Sequence, residues 1–113
     1  MTTATTNIPS VDDTTIGAAI ASGTGIVAVE FNAAWCGPCK VMAPVVEAAA
    51  RDYAGRLRIV QIDADANPAT LVRLGVRGLP TILVFRDGAL VDRIVGAVGG
   101  VALRQRLDRV VAG

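Results

Sequence analysis

The order of hydrophobic and polar positions divides the chain into short segments of two kinds. The run IVAVEFN at 26–32 is almost wholly apolar and rich in β-branched residues, which is typical of a strand covered on both faces. LRIVQID at 57–63 predicts a second strand. TILVFR, the turn Asp87-Gly88 and ALVDRIVG predict a β-hairpin, and residues 6–9 are a candidate for a weak additional first strand.

Two other segments carry helix signals. Ser10, followed by VDDTTIGAAIAS, predicts an N-cap and a first helix near residues 11–22, which Gly23 and Gly25 end. Between Cys36 and Ala54 the apolar positions recur at helical spacing, with Pro44 inside the run and Gly55 closing it. A second helix is therefore predicted to begin at the cysteines.

The last two predicted helices follow the second strand and the hairpin. Asn67 as N-cap and Pro68 in the first turn predict a short helix that ends at Gly75. VALRQRLDRVVA predicts a final helix that packs on the sheet through one stripe: Val101, Leu103, Leu107, Val110 and Val111. The resulting order, α-β-α-β-α-β-β-α, implies a mixed sheet that is parallel at the helical crossovers and antiparallel at the hairpin.

Length and charge limit the classes of function. With 113 residues, 52% of them hydrophobic, the chain is predicted to form one domain over residues 8–113, preceded by a flexible tail at 1–7. The net charge of +1 and the scattered basic residues argue against nucleic acid or membranes as partners. The first residues lack a signal-peptide pattern, so we expect a soluble, cytoplasmic protein.

The chain contains two cysteines, Cys36 and Cys39, and no histidine. A C-x-x-C pair supplies half of a zinc ribbon's thiolates, and because this chain has no further ligands of that kind, the zinc alternative requires an ion shared between two chains. A second alternative is that both cysteines are inert apolar residues within a helix, although Gly37 and Pro38 suit a first turn better than a helix interior. The lack of histidine excludes Cys–His nucleophiles and the commonest general base near neutral pH.

The predicted position of the pair favours redox chemistry. Backbone N–H groups at a helix N-terminus lack partners and the macrodipole is positive there, so a sulfur at that place is stabilised as thiolate. Cys36, as the outermost, gains most, whereas Cys39, one turn further in and partly covered, is expected to stay protonated until it reacts. Such a pair attacks a disulfide with the first sulfur and releases product with the second.

VEFNAAWCGPCKVMAP, GVRGLPTILVF, the RDG turn and VGA at 95–97 resemble the thioredoxin family, over essentially residues 8–112. The resemblance implies an α/β fold with a mixed five-stranded sheet flanked by four helices. It also implies Cys36 as nucleophile, Cys39 as resolving thiol and a cis peptide bond before Pro80. The backbone of Leu79 would pair with an extended substrate segment, which would rest on a flat apolar rim: Trp35, Gly37, Pro38, Gly78, Gly96 and Ala97.

Three positions depart from the usual pattern of that family. Glu30 stands where an aspartate is common, Asn32 where an aromatic residue is common, and Gln61 where a lysine is common. Alternation places Glu30 on one strand face with Ala28 and Asn32, so burial is expected to raise the pKa of its carboxyl. This carboxyl is our candidate, directly or through a water, to accept the Cys39 proton; the alternative is a structural Glu30 that is salt-bridged or reaches solvent.

These observations predict a protein disulfide reductase. It would reduce disulfide-containing client proteins by thiol–disulfide exchange and be recycled by a thioredoxin reductase. No metal or organic cofactor is expected beside the Cys36–Cys39 disulfide, and the protein is expected to act as a monomer. Two alternatives remain open: a non-catalytic binding subunit or regulator of the same fold, and a thiol oxidase or disulfide isomerase.

Overall fold

The computed structural model describes residues 8–21 and 25–113, and these ranges contain five strands and four helices. In chain order the elements are β1 (Ser10–Val11), α1 (Ile16–Ala21), β2 (Ile26–Asn32), α2 (Gly37–Asp52), β3 (Arg58–Asp63), α3 (Pro68–Leu74), β4 (Thr81–Arg86), β5 (Ala89–Val95) and α4 (Gly100–Ala112). The predicted α/β fold is therefore confirmed.

The five strands form one mixed sheet in the order β1-β3-β2-β4-β5. The pairs β1–β3 and β2–β3 are parallel, whereas β2–β4 and β4–β5 are antiparallel. Asp87 and Gly88 form the hairpin turn with φ values of 51° and 87°, the positive angles that a two-residue hairpin loop requires. β2 lies at the centre of this sheet, and both of its faces are covered, because every residue from Val27 to Asn32 is buried.

Alternation along β2 sends side chains into two separate cores. Val27, Val29 and Phe31 pack with residues of α1 and α3 on one face of the sheet. Ala28 packs on the opposite face against buried residues of α2 and α4. Glu30 and Asn32 share the Ala28 face by the period of two, so they lie on the side that α2 covers.

The first predicted helix begins later than expected. Ser10 is not its N-cap, because Ser10 and Val11 pair with Gln61 and Ile62 as strand β1. The turn after this strand is closed by Asp12, whose Oδ1 accepts the backbone N–H groups of Thr14 and Thr15. The predicted tail at 1–7, the first two residues of the strand predicted near 6–9 and the stop at Gly23 lie outside the described residues, and residues 8 and 9 are not part of a strand.

Helix α3 has the predicted bounds but a different cap. The Asn67 side chain makes no capping hydrogen bond. Instead, Asp13 Oδ1 accepts the Thr70 backbone N–H at 3.0 Å and the Thr70 hydroxyl at 2.6 Å, while Asn67 Oδ1 accepts the Asp13 N–H at 2.8 Å. An acidic side chain from a remote segment thus caps this helix N-terminus, which favours negative charge.

Two smaller predictions about helices need correction. Helix α2 runs through Pro44 but ends at Asp52, because the Tyr53 backbone leaves the helical conformation (φ −101°, ψ 7°) before Gly55 is reached. In α4, Val101 is 74% exposed although Leu103, Leu107 and Val110 are buried. Val101 precedes Leu103 by two positions, about 200° around the helix axis, and so faces away from the sheet.

Within the described part of the chain, no helix is long and apolar enough to cross a membrane.

Candidate redox site

Cys36 and Cys39 form a disulfide at the start of α2, with their Cα atoms 5.3 Å apart. Cys36 is the N-cap residue of this helix, in an extended conformation, and its Sγ accepts the backbone N–H of Cys39 at 3.2 Å. The prediction that the helix begins at the cysteines is confirmed. An N–H of the first turn points at the Cys36 sulfur, where it also favours a thiolate once the disulfide is reduced.

Exposure does not separate the two cysteines as the sequence predicted. Cys36 is 2% exposed and Cys39 is 3% exposed, so both cysteines are buried in the oxidised protein. The two differ instead in their place on the helix, because only Cys36 occupies the N-cap. Among the described residues, no group of three or more His, Cys, Asp or Glu side chains is placed to hold a metal ion.

Leu79 from the loop before β4 packs on the cysteines together with Ala33. The Leu79–Pro80 peptide bond is cis, as the resemblance implied. Pro80 O accepts the N–H of Gly96 at 2.8 Å, and Gly78 O accepts the Thr81 hydroxyl at 2.7 Å. The loop before β4 and the end of β5 are thereby held beside the disulfide.

Trp35 lies on the surface next to the disulfide. Its side chain is 68% exposed, and its indole Nε1–H donates to Asp65 Oδ2 at 2.8 Å. With the loop before β4 it borders a groove of about 180 Å³. The residues that line this groove are Trp35, Ala64, Asp65, Leu71, Val76, Arg77, Gly78 and Leu79.

The remaining predicted rim residues lie around the same helix start and loops. Gly37 and Pro38 are exposed in the first turn of α2. Gly96 is half-buried with a left-handed φ of 86°, and Ala97 after it is exposed. The structure therefore brings Trp35, Gly78 and Leu79 together in one groove, while Gly96 joins the site through its hydrogen bond to Pro80.

Sequence reasoning missed Asp65 as the partner of Trp35. A signal for it existed, because β2 and β3 are parallel and end at Asn32 and Asp63, so that the loops after them meet at one edge of the sheet. A polar residue two positions after β3 was thus a candidate neighbour for the aromatic residue that follows β2. The apolar lining by Leu71 and Val76 depends on the packing of α3 and had no comparable signal.

Glu30 is 2% exposed and lies opposite Gln61 on β3 and Ile82 on β4. Burial raises the pKa of the Glu30 carboxyl above its ordinary value, as predicted, and a hydrogen bond from Asn32 opposes part of that rise. Asn32 Nδ2 donates to Glu30 Oε1 at 3.0 Å. The ion pairs within the described ranges join Arg104 to Asp52 and Arg106 to Asp92, so the partner of Glu30 is an amide and not a cation.

Most of the chain matches known proteins. A thioredoxin family model matches residues 7–109. The chain is 38% identical over 100 residues to Thioredoxin 1 of Synechococcus elongatus, which covers 88% of this chain and 94% of that protein. It is 44% identical over 86 residues to a thioredoxin of Staphylococcus aureus, which covers 76% of this chain and 83% of that protein. The chain belongs to the thioredoxin family.

Membership of the thioredoxin family assigns the chemistry to the disulfide. The chain is an oxidoreductase of disulfides, and the Cys36–Cys39 pair is its redox-active centre. Within the thioredoxin pattern, the departures at Glu30, Asn32 and Gln61 form one buried group, since Asn32 Nδ2 also donates to Gln61 Oε1 at 3.1 Å. The residues by which this chain departs from the family pattern therefore contact one another directly.

Proposed function

We propose that the protein reduces disulfides of client proteins through Cys36 and Cys39 and receives its electrons from a thioredoxin reductase. The observation that carries this proposal is the disulfide at the N-terminus of α2, with a backbone N–H directed at the Cys36 sulfur. A sulfur in that position is a good nucleophile and also a good leaving group, because the helix start stabilises its anion.

The exchange proceeds in two displacements at sulfur. The Cys36 thiolate attacks one sulfur of the client disulfide, forms a mixed disulfide and releases the other client sulfur as a thiolate. Cys39 then loses its proton and attacks the Cys36 sulfur, which frees the second client thiolate and forms the Cys36–Cys39 disulfide. The reductase then reduces the Cys36–Cys39 disulfide with two electrons. The two electrons that reduce the client disulfide are therefore supplied by the reductase.

Glu30 is our proposal for the acceptor of the Cys39 proton, directly or through a water. It lies on the sheet face that α2 covers, and Cys39 is among the buried side chains of α2. A carboxyl whose pKa burial has raised is a stronger base than an ordinary glutamate, as removal of a thiol proton requires. The chain has no histidine that could do this instead.

The substrate surface is proposed from backbone that lacks partners. Among the described residues, the N–H and C=O of Leu79 have no hydrogen-bond partner, although Leu79 lies beside the disulfide and only Pro80 separates it from β4. Such backbone groups can hydrogen-bond an extended client segment, which then lies beside the loop as an added strand. The exposed faces of Trp35, Gly37, Pro38, Gly78 and Ala97, with Pro80 and Gly96 behind them, would form the surface on which this segment rests.

Trp35 is expected to contribute to client binding. Replacing it by alanine removes a 68% exposed ring from the groove and should lower kcat/KM for a protein disulfide by about tenfold or more, mainly through KM. Val72→Ala is the matched control, because Val72 is 83% exposed on α3 but does not border the groove with Trp35. Equal losses in the two variants would contradict a specific role for Trp35.

The remaining features of the proposed activity follow from the sulfur chemistry. The two electrons travel on the sulfur pair, so we propose that no metal or organic cofactor takes part and that one chain suffices for the exchange. We also propose a cytoplasmic site of action, because a dithiol reductant works where thiols are kept reduced.

Insulin disulfide reduction tests the function, with and without a bacterial thioredoxin reductase and its electron donor. We expect catalytic turnover that requires the reductase and is lost in Cys36→Ser. A binding subunit of the same fold would instead show no turnover, and its biological activity would survive Cys36→Ser. An isomerase would rearrange scrambled disulfides efficiently and accept electrons poorly from the reductase.

A further inference from the structure

Three buried polar side chains lie beside one another in the sheet below α2. Glu30 is 2%, Asn32 6% and Gln61 2% exposed. Buried polar groups are costly unless they are hydrogen-bonded, so the direction of each bond in such a group is strongly constrained. Here the hydrogen bonds connect the backbone carbonyl of Ile8 to the carboxyl of Glu30, and the Asn32 amide nitrogen donates toward both ends.

The backbone carbonyl of Ile8 fixes the orientation of the Gln61 side-chain amide. Gln61 Nε2 donates to the backbone carbonyl of Ile8 at 2.8 Å, and because a carbonyl only accepts, the amide nitrogen of Gln61 must face Ile8. The oxygen of the same amide therefore faces Asn32 and accepts from Asn32 Nδ2 at 3.1 Å. This in turn requires the nitrogen of the Asn32 amide, and not its oxygen, to lie between Gln61 and Glu30.

The same nitrogen, Asn32 Nδ2, donates to Glu30 Oε1 at 3.0 Å. We propose that Asn32, oriented by Gln61, is a positioning residue for Glu30: it holds Oε1 as a hydrogen-bond acceptor and leaves Oε2 as the oxygen that is protonated. This inference deepens the proposed function, and it rests on that function only where Glu30 accepts the Cys39 proton. That transfer breaks the Cys39 S–H bond and forms an O–H bond at Glu30 Oε2.

An amide donor and a cation have different effects on the pKa of the Glu30 carboxyl. A nearby cation would stabilise the carboxylate strongly and lower its pKa by about one to three units, which would weaken it as a base. A neutral N–H donor favours the ionised form less, so the rise of the Glu30 pKa by burial persists. Asn32 can thus orient the carboxyl and still leave it basic.

The surroundings of Glu30 contain few other groups that could change its titration. Its cross-strand neighbours, Gln61 and Ile82, are uncharged. Among the described residues, α4 presents only apolar buried side chains to this core, and α2 presents one titratable buried side chain, Cys39, which is a disulfide in the oxidised protein. Tyr53, which follows α2, is also buried in this core, but burial raises its pKa to about 12, so it stays neutral while Glu30 titrates. In the oxidised protein, changes in the Glu30 titration therefore report on its hydrogen bonds.

The test is an NMR titration of the Glu30 carboxyl carbon in the oxidised full-length protein and its variants. Asn32→Leu removes the donor at similar volume and is expected to raise the Glu30 pKa by about one unit or more. Gln61→Leu keeps the Asn32 donor but removes its orientation, so a smaller rise is expected. If Asn32→Leu does not fold, Asn32→Ala and Gln61→Leu give the same comparison.

A buried polar residue away from this group controls for general destabilisation. Thr70 is 0% exposed and hydrogen-bonds Asp13, so Thr70→Val should lower stability and leave the Glu30 titration unchanged. An unchanged Glu30 pKa in the Asn32 and Gln61 variants, or an equal shift in Thr70→Val, would overturn the positioning role. If the Asn32 variants shift the pKa but Glu30→Gln resolves mixed disulfides at the wild-type rate, positioning stands and proton acceptance by Glu30 is wrong.

Discussion

Replacing Cys39 by alanine is expected to stop the reaction at the mixed disulfide between Cys36 and the client. The attacking step should change little, because the N–H that Cys36 Sγ accepts belongs to the backbone of Cys39 and remains in the variant. Release should then depend on external thiols instead of a thiol held beside the bond. Since well-oriented intramolecular groups act at very high effective concentrations, we expect multiple-turnover reduction to fall by at least about a thousandfold.

Mass spectrometry under non-reducing conditions measures the trapped adduct, and stopped-flow mixing with a disulfide substrate measures the attack. Cys36→Ala is the matched control, because it keeps Cys39 but removes the sulfur at the N-cap. It should neither attack quickly nor accumulate an adduct. Adducts that formed through Cys39, or through neither sulfur, would refute the assignment of nucleophile and resolving thiol.

Replacing Glu30 by glutamine is expected to slow resolution of the mixed disulfide by about a hundredfold near neutral pH, while attack by Cys36 is spared. General acid–base catalysis by a positioned side chain contributes about 10²- to 10⁴-fold, and the lower end applies because water can also take the Cys39 proton. The substituted side chain keeps an amide oxygen that can accept from Asn32, so the buried group loses its base but not its hydrogen bond.

The same Glu30→Gln variant is expected to be more stable than the wild type at neutral pH. The folded protein holds the Glu30 proton more tightly than the unfolded chain, because burial has raised the pKa in the folded state. Wild-type stability should therefore fall as the pH rises above the ordinary value of 4.5, until the folded carboxyl is fully ionised. Glu30→Gln lacks this loss. At neutral pH its free energy of unfolding should exceed that of the wild type by about 1.4 kcal/mol for each unit by which folding raises the Glu30 pKa.

Urea unfolding of both oxidised proteins from pH 4 to pH 9, together with single-turnover resolution rates, measures both effects of Glu30→Gln. The difference in the free energy of unfolding should be smallest at the acidic end and grow with pH. An unchanged resolution rate combined with lower stability of the variant would identify Glu30 as a structural residue that does not accept the proton.

Local signals were sufficient for most of the fold. The apolar run of β2, the Asp87-Gly88 turn and the Pro68 to Gly75 bounds of α3 depend on residues close together in sequence, and the structure has them where they were predicted. Ser10 was misassigned because its strand partner, Gln61, lies on β3, far along the chain. The same holds for the cap of α3, since Asp13 reaches Thr70 across 57 positions.

The candidate site also combines features that local sequence predicted with features that depend on distant residues. The WCGPC motif and the Leu79-Pro80 loop were visible in the sequence because the chemistry requires particular residues at particular spacings. Asn32 and Gln61 were visible only as uncommon residues, without a role. Their contact depends on the register of β2 against β3 and on the rotamers of two amides, and neither follows from local sequence.

The hydrogen bond between Gln61 and the carbonyl of Ile8 sets a practical limit for anyone who shortens the chain or attaches a tag near its start. A protein trimmed to begin at Ser10 would keep both cysteines and the groove beside Trp35, but not the Pro9 carbonyl that accepts the backbone N–H of Gln61. It would lose the acceptor that fixes which way the Gln61 amide points, so both amides could flip. Such a trimmed protein could pass a simple test for the active-site disulfide and still release its clients slowly.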